Sequence, residues 1–228
     1  MKVGTDGVLL GAWASAGPSV RRVLDIGTGT GLIALMMAQR CPAAAVTGVD
    51  VEDVAEAREN ADASPWGDRV TFVRTAVQRF GAEPFDRIVS NPPFFVDSLA
   101  SPDAGRTTAR HAVRLPFDEL RDAVVRLLAP DGRFAAILPV AEAGRFIGVC
   151  CGRLRLVRRT DVRTTPRRPV KRVLMEFAAE TGTGGAGFGP VPDAAFGPEA
   201  DELIVGTGEH ECYTPEYRAL TGDFYLKF

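Results

Sequence analysis

The sequence predicts a single α/β domain, residues 1–228, built on a doubly wound, mostly parallel seven-stranded sheet that closes in an antiparallel C-terminal hairpin. Three observations carry this expectation. Between residues 20 and 178, short apolar runs rich in β-branched side chains alternate with longer stretches of helix composition. A glycine-rich turn follows the first of these runs directly, at the point where strand passes into helix. The last two runs are separated only by a short basic turn, which suits a hairpin.

In chain order, Val20–Ile26 reads as a buried strand, and Gly31–Arg40 follows with helix-forming Leu, Ala, Met and Gln. Ala45–Val51 is a second strand, Val54–Ala63 a second helix, Val70–Thr75 a third strand and Phe85–Ser90 a fourth. Phe117–Leu128 sets Leu120, Val124, Leu127 and Leu128 on one face of a helix. Pro130-Asp131-Gly132 is a turn and Phe134–Leu138 a fifth strand. Leu154–Val162 and Arg172–Ala178 form the closing hairpin. Residues 181–202, rich in Gly, Ala and Pro, read as a flexible insertion. From Leu203 to Phe228 aromatics return, so this tail is expected to dock back onto the domain.

Composition narrows the class. A chain of 228 residues buries a full core without disulfides or structural metal. Cys41, Cys150, Cys151 and Cys212 form no CxxC pair and no zinc spacing, so no metal site is expected. No apolar run reaches membrane-spanning length and no signal-peptide pattern follows Met1, which points to a cytoplasmic protein with no membrane partner. Nothing in the pattern sets an oligomeric state. The net charge of −2 argues against a polycation. It conceals a local excess, however: between Arg153 and Arg172 the basic side chains are opposed only by Asp161. Such a patch suits RNA phosphates, with Arg158, Arg159, Arg167 and Arg168 as candidate ligands and Arg110 as a possible extension. The plainer reading is a solvated surface hairpin.

The first run ends in Asp25-Ile26-Gly27-Thr28-Gly29-Thr30-Gly31. Glycines let a backbone turn tightly and approach a ligand closely, and the helix that follows offers free N–H groups. Asp50 ends the second strand, where a carboxylate reaches the ribose of an adenosine-containing cofactor. A dinucleotide site wants G-x-G-x-x-G; counted from Gly27, the last position is Leu32. The candidate cofactor residues are Asp25, Gly27, Thr28, Gly29, Gly31, Asp50 and the adjoining Val51.

The fourth strand runs straight into Asn91-Pro92-Pro93-Phe94. The prolines stiffen the loop and remove N–H donors, leaving acceptors. Asn91 adds an amide oxygen and Phe94 a stacking face. Two acceptors and a ring suit a planar exocyclic amine, whose lone pair is delocalised and must be aimed at an electrophile. Asn91, Pro92, Pro93 and Phe94 are the candidate catalytic residues, and Phe94 also a substrate contact.

The D-x-G-x-G-x-G loop resembles motif I of class I S-adenosylmethionine-dependent methyltransferases, which have a Rossmann-like fold. The Asn-Pro-Pro-Phe loop resembles that of amino-group methyltransferases acting on adenine, cytosine, guanine or protein glutamine. The opening Met1–Trp13 (MKVGTDGVLLGAW), Asn60 with Ser64-Pro65-Trp66, Thr160-Asp161-Val162, Arg172-Val173-Leu174 and the tail Tyr213–Phe228 are similar to the bacterial tRNA(Val) adenine-N6 methyltransferases over nearly the whole chain. That resemblance implies S-adenosylmethionine as donor and adenosine 37 of a tRNA as target. It also implies Thr5 and Asp6 as lining of the cofactor or target pocket, and Ala76 and Val77 after the third strand, with Asn91, as further cofactor contacts. Phe94 stands where Tyr is commoner, and Val77 where related enzymes often carry an aspartate toward the cofactor adenine. Relatives also carry some residues before the opening signature. An rRNA guanine-N2 or protein-glutamine methyltransferase, and a non-catalytic S-adenosylmethionine- or RNA-binding module, remain alternatives at this stage.

Overall fold

The computed structural model describes residues 4–92, 115–180 and 199–226. The strands are β1 (Arg22–Ile26), β2 (Ala45–Asp50), β3 (Val70–Arg74), β4 (Phe85–Ser90), β5 (Leu128–Pro139), β6 (Leu154–Arg163), β7 (Val170–Ala179) and β8 (Glu199–Ile204). The helices are α1 (Thr5–Trp13), α2 (Leu32–Arg40), α3 (Ala55–Asp62), α4 (Phe117–Leu127), α5 (Val140–Cys150) and α6 (Pro215–Thr221). Among the described residues one sheet runs β3-β2-β1-β4-β5-β7-β6-β8. The strands β1 to β5 pair in parallel, β7 is antiparallel to β5 and β6, and β8 is parallel to β6. Strand order reverses between β1 and β4, and a crevice opens there at the carboxyl ends of the strands.

Burial explains the sequence pattern. From Val23 to Ile26 every residue of β1 is buried, as a parallel strand covered on both faces requires. On α4, Leu120, Ala123, Val124 and Leu127 face the sheet. The apolar residues form two main clusters. One holds Leu9, Leu10, Met37, Val46 and Ile137, the other Leu24, Ile88, Phe134, Phe146 and Phe177.

The first helix is a core element. It is buried from Gly7 to Trp13, and its end is stitched to the antiparallel strands. Trp13 Nε1 donates to Thr160 Oγ1 at 2.8 Å, and the Arg158 guanidinium lies 3.6 Å above the Trp13 ring while donating to its carbonyl. Buried Glu176 accepts from the Ser15 N–H and hydroxyl at 2.9 and 2.7 Å.

Two details depart from the sequence expectation. Pro130-Asp131-Gly132 lies inside β5: the register steps from Phe85↔Leu128 to Arg87↔Arg133, so the extra residues bulge out of a continuing strand. Among the described residues the sheet has eight strands rather than seven, because Glu199–Ile204 pairs with β6, with Arg163 and Glu202 in ion contact across the pair. Residues 199–202, assigned from composition to the insertion, thus begin a strand; residues 181–198 lie outside the described ones. The C-terminal tail docks: Tyr217 is 2% exposed, and Leu220 and Phe224 pack on the cluster of Val8, Ala12 and Met36.

Candidate active site

Leaving β1, the backbone folds into the glycine loop, which is held from β2. Gly27 and Thr28 donate to the Val49 carbonyl at 2.9 and 3.1 Å. Gly29 N–H donates to Asp50 Oδ2 at 2.9 Å and Glu52 N–H to Asp50 Oδ1 at 3.0 Å, so the Asp50 carboxylate clamps the loop. Gly27 and Gly31 sit at φ +73° and +78°, a region that L side chains enter only with strain. A Cβ on Gly31 would lie 2.6 Å from Phe72 Cζ, whereas one on Gly27 would meet nothing within 4 Å and extend into open space. One glycine serves packing; the other keeps a cradle clear.

That cradle opens into a cleft of about 880 Å³. Gly27, Gly29, Asp50, Val51, Ala76, Val77, Asn91 and Asp6 all line it, together with Pro92. Thr5 and Thr28 instead line an adjoining cavity of about 470 Å³, with Thr164, Lys171 and Arg172. Four residues belong to both spaces: Asp6, Gly27, Thr30 and Asn91. Ser90 Oγ donates to the Ile26 carbonyl at 2.8 Å and fixes the end of β4 against β1, so Asn91 emerges where the two spaces meet. Pro93, Phe94 and Arg110 lie outside the described residues.

Asp25 is placed beneath the loop rather than in the cleft. It is fully buried, accepts from Thr28 Oγ1 at 2.7 Å, and its Oδ1 has no hydrogen-bond partner. Burial pushes its carboxyl from 3.8 up to about 7, against the Thr28 hydrogen bond, which lowers it. Because the folded value is raised, the associated stability is fully present below about pH 3.8 and is lost as pH rises through about 7. Asp25→Asn keeps the acceptor for Thr28 and cannot ionise. Its melting temperature is expected to gain on the parent's between about pH 4 and 7, by the equivalent of a few kcal/mol at the upper end, and to change in parallel with it above pH 7. Parallel melting curves across the lower range would show that Asp25 does not titrate there.

The arginines divide. Arg158 is occupied by Trp13 and does not join a phosphate-binding face. Arg159 is paired with Asp161 at 2.8 Å. Arg167 and Arg168 are exposed on the hairpin turn. Lys171 and Arg172, not singled out as ligands from sequence, are the basic residues lining the second cavity, and Arg172 bridges Asp6 at 2.7 Å. Their signal was positional: antiparallel pairing of Arg172 with Val162 returns the hairpin to the cavity wall. Among the described residues, no three His, Cys, Asp or Glu side chains are grouped to hold a metal, and no helix is long and apolar enough to cross a membrane.

A switch-point crevice with this glycine loop, a carboxylate ending β2 and a reversed β7 in the strand order defines a class I S-adenosylmethionine-dependent methyltransferase. Residues 6–115 match the family model described as a methyltransferase small domain. The tRNA1(Val) (adenine(37)-N6)-methyltransferase of Phocaeicola vulgatus is 44% identical over 99% of this chain and 91% of its own. The protein of the same name from Aeromonas hydrophila is 42% identical over 100% and 91%. The chain belongs to this family of methyltransferases. Among solved structures, a predicted O-methyltransferase from Agrobacterium tumefaciens shares the fold with a TM-score of 0.67 over 96% of each chain at 18% identity. TrmN from Thermus thermophilus shares it at 0.56 over 76% of this chain and 48% of its own, at 24% identity. S-adenosylmethionine is the methyl donor.

Proposed function

We propose that this protein methylates the exocyclic N6 of adenosine 37 in the anticodon loop of tRNA(Val), in the cytoplasm. The observation that carries this reading is the position of Asn91, on the boundary between the Asp50 cleft and a second cavity edged by Lys171 and Arg172. One space suits the donor, the other a nucleotide with its phosphates. The names of relatives at 42–44% identity supply the particular base and RNA.

When bound, S-adenosylmethionine supplies an electrophilic methyl group on a sulfonium sulfur. Gly27, Asp50, Val51, Ala76 and Val77 would hold it; the open face of Gly27 and the polar groups of Asp50 fit such a ligand. The Asn91 amide oxygen and the Pro92 carbonyl accept the two amine hydrogens. This orients the nitrogen lone pair and stabilises the positive charge that grows on it. Phe94, on the same loop, supplies the face on which the adenine stacks after leaving the anticodon-loop stack. No side-chain base is needed, because the methylated ammonium-like nitrogen gives up its proton readily to water. Lys171, Arg172, Arg167 and Arg168 hold the flanking phosphates.

The test is incubation with labelled S-adenosylmethionine and tRNA(Val) lacking modification, alongside a tRNA(Val) with guanosine at position 37 and unmodified rRNA. The RNA is then digested to nucleosides. Label in N6-methyladenosine from the first RNA alone is the expected result. Label in an rRNA guanosine would overturn the target while keeping the chemistry. No label in any RNA despite cofactor binding would turn the search to protein glutamine.

A further inference from the structure

Beyond β3 the wall of the donor cleft is formed by residues 75–79. Ala76 and Val77 bring no side-chain donor or acceptor, and the Gln78 amide is turned away to Glu119 on α4. A polar heterocycle seated against Ala76 and Val77 must therefore be read there by main chain. The free groups are of one kind. Thr75 N–H donates to Asp50 O, Arg79 N–H to Ala76 O and Phe80 N–H to Val77 O, whereas among the described residues the N–H groups of Ala76, Val77 and Gln78 donate to no backbone carbonyl. The carbonyls on the far side are gathered by a single residue. Arg126, seven positions along α4 from Glu119, donates to Phe80 O at 2.6 Å and Val77 O at 2.8 Å, with Gln78 O at 3.5 Å.

We propose that Arg126 is a positioning residue for cofactor recognition: by holding the carbonyls of Val77, Gln78 and Phe80 it fixes the Val77–Gln78 peptide plane and the loop around it, so that the Gln78 N–H and the N–H groups beside it donate to the acceptor nitrogens of the donor's adenine ring. The guanidinium fork is suited to this because it reaches several carbonyls at once with fixed geometry. Lysine can reach one or two and holds them less firmly. The inference rests on the assignment of the larger cleft to S-adenosylmethionine and goes beyond it. It makes adenine recognition depend on a residue of α4, on the outer side of the loop.

Calorimetric titration with S-adenosylhomocysteine and with its 6-oxo analogue, S-inosylhomocysteine, tests it. The inosine ring carries a proton on N1 and cannot accept there, so the parent is expected to prefer the adenine form. Arg126→Gln is expected to bind S-adenosylhomocysteine about tenfold more weakly, the order expected on loss of a charge-assisted hydrogen bond that orders a binding loop. It should also lose most of its preference over the inosine form, with Arg126→Lys in between. Arg121→Gln, on the same helix but bonded to Val149 O and Asp122, should bind both ligands as the parent does. In steady state, Arg126→Gln should raise KM for the donor and leave kcat nearly unchanged. Unchanged affinity in Arg126→Gln, or equal weakening for both ligands, overturns the positioning role. A parent protein that binds neither ligand overturns the cleft assignment itself.

Discussion

Asn91→Ala is expected to lower kcat for methyl transfer by about 100-fold or more while leaving S-adenosylhomocysteine binding nearly intact, the scale on which a single preorganised electrostatic partner acts. The amine nitrogen of adenine is a poor nucleophile until its hydrogens are held out of the ring plane and its developing charge is met by acceptors. In the proposed mechanism Asn91, at the boundary of the two cavities, is one of these acceptors, and Ser90, tied to Ile26, fixes the strand end before it. Most contacts in the donor cleft come from elsewhere, so the cofactor should hardly register the loss. Asn91→Asp retains an acceptor oxygen and should keep more activity than alanine. Single-turnover rates of the three enzymes with saturating donor and tRNA decide the matter. An alanine variant within a few-fold of the parent would remove Asn91 from the chemistry, and equal loss in both variants would point to a role other than accepting a hydrogen bond.

The second large effect separates two glycines of the same loop, Gly27 and Gly31. Gly31→Ala carries the strain of positive φ and drives a methyl group to 2.6 Å from Phe72 and 3.3 Å from Ala57, so a loss of about 3 kcal/mol is expected, roughly 10 °C in melting temperature. Gly27→Ala carries only the backbone strain, about 1–2 kcal/mol. Its methyl group enters the cleft, however, and should weaken S-adenosylhomocysteine binding by about tenfold or more, since a ligand seated against bare backbone must shift or lose contact. Melting curves with and without ligand measure both quantities. Similar melting temperatures for the two variants, or retained affinity in Gly27→Ala, would contradict this division.

The strands β1 to β4 were legible to within two residues at each end, because each is a short run rich in β-branched and apolar side chains set between helix-forming stretches or turns. The helix α4 was legible from its single apolar face. The helix α1 was not. It is apolar on all sides and contains Gly7 and Gly11, which lower helix propensity. Only the packing explains Gly11, where a Cβ would sit 2.6 Å from Met36 Sδ. Nor does the acidic Glu-Ala-Asp-Glu start of β8 read as a strand; beside β6 it is held by the Arg163–Glu202 ion pair and the Thr160–Asp201 hydrogen bond. At the site, what the sequence does not express is depth. Asp25 belongs to the motif yet lies under it. Arg158 counted toward a phosphate-binding patch, but a count of charges does not distinguish an arginine facing solvent from one stacked on Trp13. Lys171 and Arg172 reach the cavity through the hairpin register, a long-range property that no local spacing expresses.

The acidic composition of β8 has an effect on the behaviour of many molecules together. It is the last strand of the sheet among the described residues, and it carries Glu199, Asp201 and Glu202. An unprotected edge strand is a template onto which another copy adds its own strand. Two molecules meeting edge to edge here would bring their carboxylates together, and the mutual repulsion keeps the sheet from growing from one molecule into the next. The strand that completes the fold therefore also guards its colloidal stability, most strongly in dilute salt, where the repulsion is least screened.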